Sequence, residues 1–596
     1  MAASGSARRA SGARGAHRIR TTVIVLAVVF LVWCAIGVAG LLLARSRAQA
    51  GIDRLERAQR TLHAADILRG DGLDTLERAN DDFATAHAST GWLVTAPLRI
   101  LPVLGRQVRS VDALAGAAEH VTAVGARATE RARRAVEEPT GAGAARLALI
   151  DQLATIGGEA RRDLADVDLG PSQALVGPLA RGRVRFEARL ADIRRATQEL
   201  RLASVGLRRV LGGPTRYLVF GASNAEMRSG SGTWLSVGVM TFRDGRFELG
   251  EMRSSAEFLP EPAVEPQGDL AARWGWAAPG ADFRNLALSP QFPDNAALAT
   301  EMWRRATGET VDGVLVLDPV ALQALLRATG PVTVDDREIS ADTVIPYLLV
   351  DQYRGLEYDL VRPDRTEATQ AARRAGLARV ARAVIGALDA AGWSAPDLVG
   401  SLQSAAADRH VLAWSSDAVQ QRGWDAAGVD GVLPRDSLML SLDNLGANKL
   451  DPFMRIEAEV TGRAAPGGGR RVTVEVTVRN EAPAGLGSYA GGPFPGKGFA
   501  AGEYVGLLAF EVPVYAADVR LDGLGPSPVD GPEGTTRVVA GSVRIGRGGS
   551  QRATLSLTLP PEGTRLSVRG SARVPATAWR VGDQRFTDDA VHPIRP

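Results

Sequence analysis

Four arginines of this chain stand in polar segments that border apolar runs, a setting in which arginine commonly binds anions. Arg228 follows the apolar run at residues 217–221, and Arg253 ends the hairpin-like segment that comes next. Arg362 and Arg365 lie three positions apart, so they would share one face at the start of a helix. Because a guanidinium group offers parallel N–H donors to phosphate oxygens, these arginines are candidates for binding phosphate.

The loop after residue 221 has the composition of a ligand-binding turn. It contains Asn224, Glu226 and Arg228, with glycines at 230 and 232. Small residues let a ligand approach the backbone, and loops at strand ends are the usual site position in α/β sheets. The alternative interpretation is a tight structural turn in which Arg228 pairs with Glu226 or another acid.

The second arginine cluster also has two interpretations. Arg362 and Arg365 follow Asp359, which completes the pattern D-x-x-R-x-x-R, and Arg354 precedes them. They either bind an anion or form a solvated helix end that is paired with neighbouring acids. The sequence leaves both interpretations open.

One glycine-rich segment matches the phosphate-binding pattern G-x-x-x-x-G-K by its letters alone. It covers residues 491–497 and is followed by Gly498, where binding of Mg²⁺ requires serine or threonine. Its two prolines remove backbone N–H donors, and no strand–loop–helix pattern surrounds it. A nucleotide site is therefore not predicted there.

Metal and disulfide chemistry has little support in the sequence. The single cysteine, Cys34, excludes a disulfide framework and any cysteine-built zinc or iron–sulfur site. The six histidines are scattered, and none stands at metal-ligand spacing from another. No metal site is predicted from these residue types.

The arginines require an α/β sheet to position them. Residues 217–221 and 311–317 read as buried strands, and residues 235–242 and 246–252 flank a hairpin-type turn. Helical patterns follow at residues 320–328 and 368–388. Alternation of strands and helices predicts an α/β domain over residues 206–450.

The flanking regions differ in character from this middle region. Residues 45–205 show apolar stripes at helical spacing, broken near residues 70–72, 96–102, 139–143 and 169–171, which predicts a helical stalk or bundle. Residues 451–596 alternate apolar and polar side chains in short runs, with a long loop expected at residues 522–535. They predict a β-sandwich-like domain, so that the whole chain is α+β and multidomain.

Residues 21–44 are 24 uncharged, mostly apolar residues, enough for a helix across a lipid bilayer. Residues 1–20 carry five arginines and no acid, and the positive-inside rule makes them a cytoplasmic basic tail, with residues 45–596 outside the cell membrane. A cleaved signal peptide is the alternative, because small residues around 48–50 resemble a cleavage site. The whole chain is only +3, so the excess positive charge belongs to this tail, and a nucleic-acid partner is not predicted.

Three segments resemble, in this order, the domain-of-unknown-function family 4012. They are YLVFGASNAEMRSGSGTW at residues 217–234, VDGVLVLDPVALQALLRATGPVTV at 311–334 and NLGANKLDPFM at 444–454. The resemblance extends over roughly residues 50–590. It implies a membrane-anchored envelope protein of a kind found in actinobacteria, in a family without an established activity.

The middle region also resembles, more distantly, the LytR-CpsA-Psr phosphotransferases, which attach polyprenyl-pyrophosphate-linked glycopolymers to peptidoglycan. The loop at 221–228, the hairpin arginine Arg253 and the residues Asp359, Arg362 and Arg365 occupy the corresponding positions. The resemblance implies that Arg228, Arg253, Arg362 and Arg365 clamp a lipid pyrophosphate, and Asn224 and Asp359 complete the predicted site.

The same resemblance implies a Mg²⁺ ion, but the sequence departs from the family at its metal ligand. The family has Ser-Asp-Thr after the loop arginine, whereas this chain has Arg228-Ser229-Gly230. Glu226 or Asp269 would have to replace the missing carboxylate. Without the metal, phosphoryl transfer loses much of its charge stabilisation, and the sequence leaves open whether the chain is an enzyme.

Two functions are consistent with these patterns. The first is binding, or transfer, of a polyprenyl-pyrophosphate-linked glycan or cell-wall polymer at the cell membrane. The second is a non-enzymatic envelope scaffold or adhesin-like protein, in which the helical stalk and the β-sandwich present surfaces to other envelope components.

Overall fold

The computed structural model describes residues 10–61, 64–137, 140–359, 363–493, 496 and 498–596. They form two compact units. One comprises Met1–Glu137 with Leu153–Arg201, and the other comprises Glu138–Gln152 with Leu202–Pro596. The mixed α+β class predicted from the sequence is confirmed.

Seven helices precede the first strand in the described part of the chain. They are α1 Ala10–Thr61, α2 Ala64–Arg69, α3 Leu73–Thr90, α4 Trp92–Arg99, α5 Leu104–Ala135, α6 Ala144–Asp163 and α7 Gly177–Gly212. Within α1, Val28–Ala58 is long and apolar enough to cross a membrane, a test that a signal sequence would also pass. The finding supports an N-terminal membrane anchor by length and composition.

Helices α3 and α5 pack against α1 through small side chains. Ala44, Ala86 and Ala115 form one buried contact, and the Phe83 ring lies so close to Gly51 that a methyl group there would be 2.8 Å from the ring. Small residues allow this close approach of helix backbones. Asp82 is buried in the same helix pair and accepts hydrogen bonds from Arg47 and Arg54, at 3.3 and 2.9 Å.

A mixed sheet forms the centre of the α/β region. Its strand order is β3-β2-β1-β5-β8, with β1 and β5 parallel and the other neighbours antiparallel; β4 pairs with β2. The strands are β1 Thr215–Ser223, β2 Thr233–Arg243, β3 Arg246–Leu249, β4 Arg253–Ser254, β5 Gly313–Leu317 and β8 Val411–Ser415. The buried strands and the hairpin expected from the apolar runs are therefore present.

Helices cover this sheet, and a small hairpin lies beside it. The helices are α8 Gly268–Trp274, α9 Phe283–Leu286, α10 Phe292–Thr307, α11 Pro319–Thr329, α12 Val344–Leu349, α13 Pro363–Ala390, α14 Ala395–Ala407 and α15 Ala418–Ala427. The hairpin pairs β6 Val332–Val334 with β7 Arg337–Ile339. Asp318 caps α11 by accepting from the N–H groups of Val320 and Ala321, which explains why that helix begins after the strand.

Two six-stranded sheets form a sandwich in the C-terminal part. One has the order β13-β16-β11-β10-β18-β19 and the other β14-β15-β12-β9-β17-β20. The strands are β9 Ser437–Asn444, β10 Met454–Ala464, β11 Arg470–Asn480, β12 Tyr504–Pro513, β13 Ala517–Asp522, β14 Asp530–Glu533, β15 Thr536–Ile545, β16 Ser550–Leu559, β17 Leu566–Arg569, β18 Ala578–Val581, β19 Gln584–Thr587 and β20 His592–Ile594; helix α16 is Ser488–Gly491.

Two details of the sandwich differ from the sequence-based expectation. Strand β9 pairs with β12 and β17, so the sandwich begins before residue 451. Strand β14 lies inside the loop expected at residues 522–535 and pairs with β15. Its residues, Asp-Gly-Pro-Glu, have the composition of a turn, and it is their pairing at the sheet edge that makes them a strand.

One sandwich sheet is buried on both faces. In β12, Leu508 and Phe510 belong to the core between the two sandwich sheets, whereas Leu507 and Ala509 pack into the core of the α/β region. Every residue of β9 is buried. The sheet therefore serves as a shared wall, and the α/β region and the sandwich form a continuous folded unit.

Candidate functional site

The loop between β1 and β2 lies against this shared wall. Its glycines are required by close backbone contacts: a methyl group at Gly232 would lie 2.6 Å from the Ser223 carbonyl oxygen, and one at Gly230 would lie 2.8 Å from that of Ser289. Gly232 also has φ of 90°. These glycines thus allow close approach of the chain's own backbone. The sequence analysis interpreted the same small residues as space for a ligand.

Asn224 is completely buried at the start of this loop. Its Nδ2 donates to Asp318 Oδ2 and to the Ala572 carbonyl oxygen, both at 2.7 Å. The first bond reaches the cap of α11, and the second reaches the segment after β17. Asn224 therefore joins the central sheet to the sandwich.

Arg228 and Ser229 bind the end of β9. The Arg228 guanidinium donates to the Asn444 carbonyl oxygen. The Ser229 N–H and hydroxyl both donate to Asp443 Oδ1, at 2.6 and 2.9 Å. Burial raises the pKa of Asp443 to about 7, although Arg228 and Ser229 act in the opposite direction. Arg228 thus contacts the end of β9, where it also acts on the carboxylate of Asp443.

Glu226 forms an ion pair with Lys449, one of two lysines in the chain. Both side chains are largely withdrawn from solvent, and the Lys449 ammonium lies 5.6 and 5.7 Å from the ring centres of Tyr353 and Tyr489. Arg373 stacks on the same two rings, at 5.2 and 5.7 Å. Burial alone would lower the pKa of Lys449, but Glu226 and the tyrosines raise it overall. These contacts form an aromatic cluster with two cations.

Arg253 lies at the end of the hairpin, as the sequence predicts. Its guanidinium pairs with Glu257 at 2.6 Å and lies 4.8 Å from the Phe258 ring centre. Glu257 also accepts from the Ser254 N–H and completes a capping box at the turn Ser255–Glu257. The Arg253 side chain is 47% exposed, so water reaches its guanidinium group.

The second arginine cluster is only partly within the described structure. Arg362 lies outside the described residues, and Arg365 belongs to the first turn of α13. Asp359 precedes this segment. Arg354, expected beside them, pairs with Asp351 at 3.0 Å and is 74% exposed. Convergence of Arg228, Arg253, Arg362 and Arg365 on one pyrophosphate stays a prediction.

The carboxylates considered as Mg²⁺ ligands have other partners. Glu226 is paired with Lys449, and Asp269 accepts from the Gly534 N–H at 2.8 Å. Among the described side chains, no group of three or more His, Cys, Asp or Glu residues is arranged to hold a metal ion. Of the phosphate-loop-like segment at 491–497, residues 494, 495 and 497 lie outside the described residues.

His410, which the sequence analysis did not single out, occupies the centre of a buried charged group. Its Nδ1 lies 2.5 Å from Asp318 Oδ2, and its Nε2 lies 2.8 Å from Asp408 Oδ2. All three side chains are at most 5% exposed. Burial alone would lower the His410 pKa, but the two carboxylates raise it to about 10. The ring is therefore held as an imidazolium between two acids.

A second buried ion pair lies beside the loop, within the sandwich. Arg573 Nη1 is 3.1 Å from Asp451 Oδ1, and neither side chain is more than 1% exposed. Asp451 also accepts from the Met227 N–H, the Asn444 amide and the Tyr504 hydroxyl, at 3.0, 2.9 and 3.1 Å. Burial raises the pKa of Asp451, and Arg573 opposes this shift. The carboxylate thus receives donors from both parts of the second unit.

Two glutamates, Glu511 of β12 and Glu533 of β14, are buried together in the sandwich sheet that contains β9. Glu533 accepts from the Trp274 indole at 2.9 Å and from the Ser289 hydroxyl, and Glu511 accepts from Thr536 at 2.5 Å. Burial and their mutual repulsion raise the pKa of Glu511 well above its ordinary value. Burial also raises that of Glu533. The arrangement favours a protonated pair.

Glu533→Gln should stabilise the protein above pH 5. The folded state keeps protons that the unfolded chain releases near pH 4.5, so the free energy of unfolding falls as pH rises, by up to about 1.4 kcal/mol per proton and pH unit. The amide mimics the protonated acid, and the decline should flatten. Urea denaturation at pH 5 and pH 8 measures this slope. Glu457→Gln is the control, because Arg479 lowers the pKa of Glu457 and its removal should not flatten the slope.

Comparison with known protein families places the loop within a recognised segment. Residues 212–353 match the model for a family described as a protein of unknown function, DUF4012. This segment belongs to the DUF4012 family. No curated protein and no solved structure matches the chain. The DUF4012 segment contains Asn224, Arg228, Arg253 and Asp318, whereas His410 and the sandwich lie beyond it.

The loop between β1 and β2, residues 224–232, is here called the DUF4012 loop, and its contacts indicate its role. Asn224, Arg228 and Ser229 hold groups of the same chain, and the Ser231 hydroxyl donates to the Arg409 carbonyl oxygen at 2.5 Å. These bonds fix the loop between the central sheet and the sandwich. Its described geometry is that of a structural joint.

Proposed function

We propose that this chain is a single-pass membrane protein of the cell envelope, whose folded part acts as a non-enzymatic scaffold outside the membrane. The observation that carries the proposal is the use of the DUF4012 loop as an internal joint. Asn224, Arg228 and Ser229 bind residues that are hundreds of positions away in the chain. Side chains with such partners stabilise the protein itself, and they would have to break those bonds to hold a phosphate.

The membrane part of the proposal rests on α1. The helical segment Val28–Ala58 is long and apolar enough to cross a bilayer, and five arginines precede it within residues 1–20. By the positive-inside rule the tail is cytoplasmic and the DUF4012 segment and sandwich are extracytoplasmic. The whole second unit would then face the cell envelope, where a scaffold meets its partners.

Binding of a polyprenyl-pyrophosphate-linked glycan is the second candidate function, with a LytR-CpsA-Psr-like domain as its framework. The aromatic cluster favours it. Lys449 and Arg373 lie on the rings of Tyr353 and Tyr489, and Tyr358 contacts Tyr489 at 5.2 Å between ring centres. Asp359 follows Tyr358 in the sequence, and Arg362 and Arg365 come three and six positions after Asp359. A Mg²⁺ ion would assist if the ligand supplied its phosphate oxygens.

A binding measurement separates the two functions. The full chain in detergent micelles is mixed with geranylgeranyl pyrophosphate, with and without Mg²⁺, and with geranylgeraniol as the phosphate-free control. The scaffold function predicts no saturable difference between the two lipids. It also predicts that backbone hydrogen exchange of residues 224–233 stays slow and does not change when pyrophosphate is added.

Glycan-lipid binding predicts the opposite result for the same measurement. Saturable binding of the pyrophosphate lipid should weaken about tenfold or more when Arg362 and Arg365 are both replaced by alanine, because each loses a charged hydrogen bond. Arg580→Ala is the matched control, since Arg580 pairs with Glu459 on the sandwich surface. Such binding would overturn the scaffold function.

A further inference from the structure

The connection between α3 and α5 exposes a dense group of apolar side chains. Leu93, Ile100 and Val103 are 73%, 76% and 75% exposed, and Leu101 is 46% exposed. They belong to residues 92–104, a segment here called the apolar tip, which contains helix α4 and the turn that follows it. Exposed apolar groups of this density usually mark a contact surface.

The apolar tip packs against the apolar part of α1. The Trp33 indole donates to the Leu93 carbonyl oxygen at 2.9 Å. A methyl group at Gly37 would lie 2.8 Å from Leu98 Cδ1 and 3.2 Å from the Val94 carbonyl oxygen, so helix α4 packs directly on α1 there. Both residues of α1 are inside the segment that is apolar enough to cross a membrane.

These contacts give the depth of the apolar tip along α1. Trp33 precedes Ala44, where the uncharged segment ends, by eleven residues. A helix rises 1.5 Å per residue, so Trp33 lies about 16 Å inside the end of the segment, which is roughly half of a ~30 Å hydrocarbon core. Any bilayer that surrounds α1 at Trp33 must also surround Leu93.

The one charge of the apolar tip is neutralised within the protein. Arg99 pairs with Asp112 at 2.6 Å, and it donates to the Thr90 carbonyl oxygen and the Thr95 hydroxyl at 3.0 and 2.9 Å. Its side chain is 17% exposed. Ionisable groups in a membrane are tolerated when they face protein and are paired in this way.

Two backbone N–H groups at the turn of the apolar tip are hydrogen-bonded to carbonyl oxygens of the tip. The Leu101 N–H donates to the Leu98 carbonyl oxygen at 3.3 Å, and the Gly105 N–H donates to the Leu101 carbonyl oxygen at 2.7 Å. Position 102 is proline, which has no N–H to satisfy. Backbone groups that are bonded within the segment are a condition for lying among lipid tails.

We propose that residues 92–104 are embedded in the lipid bilayer beside α1, as a re-entrant element that does not cross it. The exposed apolar face of the apolar tip then contacts the acyl chains of the outer leaflet. The proposal rests on α1 being the membrane anchor of the proposed function. It adds that the anchor consists of α1 together with the apolar tip packed beside it. Both elements would then fix the distance of α3 and α5 from the membrane.

Fluorescence of single labelled cysteines tests the proposal on the full chain. In a Cys34→Ser background, the variants Leu93→Cys, Ile100→Cys and Val103→Cys are labelled with an NBD fluorophore and reconstituted into phosphatidylcholine–phosphatidylglycerol vesicles. Emission should shift to shorter wavelength, and phosphatidylcholine with a doxyl group near mid-chain should quench it. These side chains are exposed, so replacing them removes no core contact.

The chain supplies controls for both the proposal and the anchor. Ile67→Cys replaces another exposed apolar residue of the same unit, close to Gly70, which contacts Arg133 near the far end of α5. Its label should show neither shift nor quenching. A label on the natural Cys34 reports whether α1 is in the bilayer.

Each result decides between the alternatives. Quenching at Cys34 without quenching at residues 93, 100 and 103 would overturn the proposal and leave the anchor intact. A blue shift at those residues without doxyl quenching would mean that protein, such as a second copy of this chain, covers the tip, and it would also overturn the proposal. Absence of quenching at Cys34 would overturn the anchor as well.

Discussion

Replacing His410 with glutamine should lower the free energy of unfolding by about 3 kcal/mol at pH 6. In the native protein the imidazolium of His410 lies between Asp318 and Asp408, whose oxygens are 2.5 and 2.8 Å from its two nitrogens, and it offsets one of their negative charges in a buried setting. Glutamine offers one amide donor group and no charge, so two carboxylates would remain close together without compensation. The urea unfolding midpoint, with the slope of the transition, measures the loss.

The same variant should show a specific dependence on pH. The folded-state pKa of His410 is about 10, whereas an unfolded histidine titrates near 6.5. Its contribution is therefore complete below pH 6.5 and declines as pH rises towards 10. The difference between wild type and His410→Gln should be larger at pH 6 than at pH 9. A difference that is equal at both values, or smaller at pH 6, would mean that the folded protein does not raise the pKa of His410.

A histidine of the same unit provides the matched control. His592 stacks on the Phe586 ring, with 4.1 Å between ring centres, in the last strand of the sandwich. Replacing it with glutamine removes a ring contact worth about 1 kcal/mol. A loss at His592 as large as that at His410 would show that the buried carboxylates are not the cause.

Replacing Arg573 with methionine should lower the free energy of unfolding by about 3–5 kcal/mol. Methionine keeps much of the side-chain volume but leaves the Asp451 carboxylate buried without its cation. The cost should fall when the pH is lowered, because burial raises the pKa of Asp451 and protonation removes the uncompensated charge. Urea unfolding of the full chain at pH 5 and pH 8 measures both effects.

Arg580→Met is the control for this second variant. Arg580 also pairs with a carboxylate of the sandwich, Glu459, but its side chain is 48% exposed. Exposed ion pairs contribute about 1 kcal/mol or less, so this variant should be nearly as stable as wild type. If both arginine variants lowered the free energy of unfolding by the same amount, burial of the Asp451–Arg573 pair would not explain the loss in Arg573→Met.

The local pattern of the sequence predicted many of the strands correctly. Alternation at residues 471–479 became strand Arg470–Asn480, and the turn at residues 243–245 joins Thr233–Arg243 to Arg246–Leu249. Such features depend on neighbours in the chain, because side-chain period and turn residues act within a few positions. Strand Asp530–Glu533 was missed because its letters are those of a turn and its pairing partner supplies the conformation.

The position of the loop after strand Thr215–Ser223 was predicted from the sequence, but the hydrogen bonds of its side chains were not. Asn224 and Arg228 stand at the strand end, as expected, yet their partners are Ala572 and Asn444. Residues that recur in phosphate sites also form internal joints, since amide and guanidinium groups donate equally well to carbonyl oxygens. Nothing in the local sequence distinguishes these two uses.

The sequence by itself determined the apolar helix, its flanking charge, the α+β order of elements and membership of the DUF4012 family over residues 212–353. Only the tertiary structure decided that His410 lies between Asp318 and Asp408, and that Arg573 faces Asp451, 122 residues away. It also decided that one sandwich sheet is buried on both faces. The physical reason is that hydrogen bonds and burial join residues by distance in space, which local periodicity does not encode.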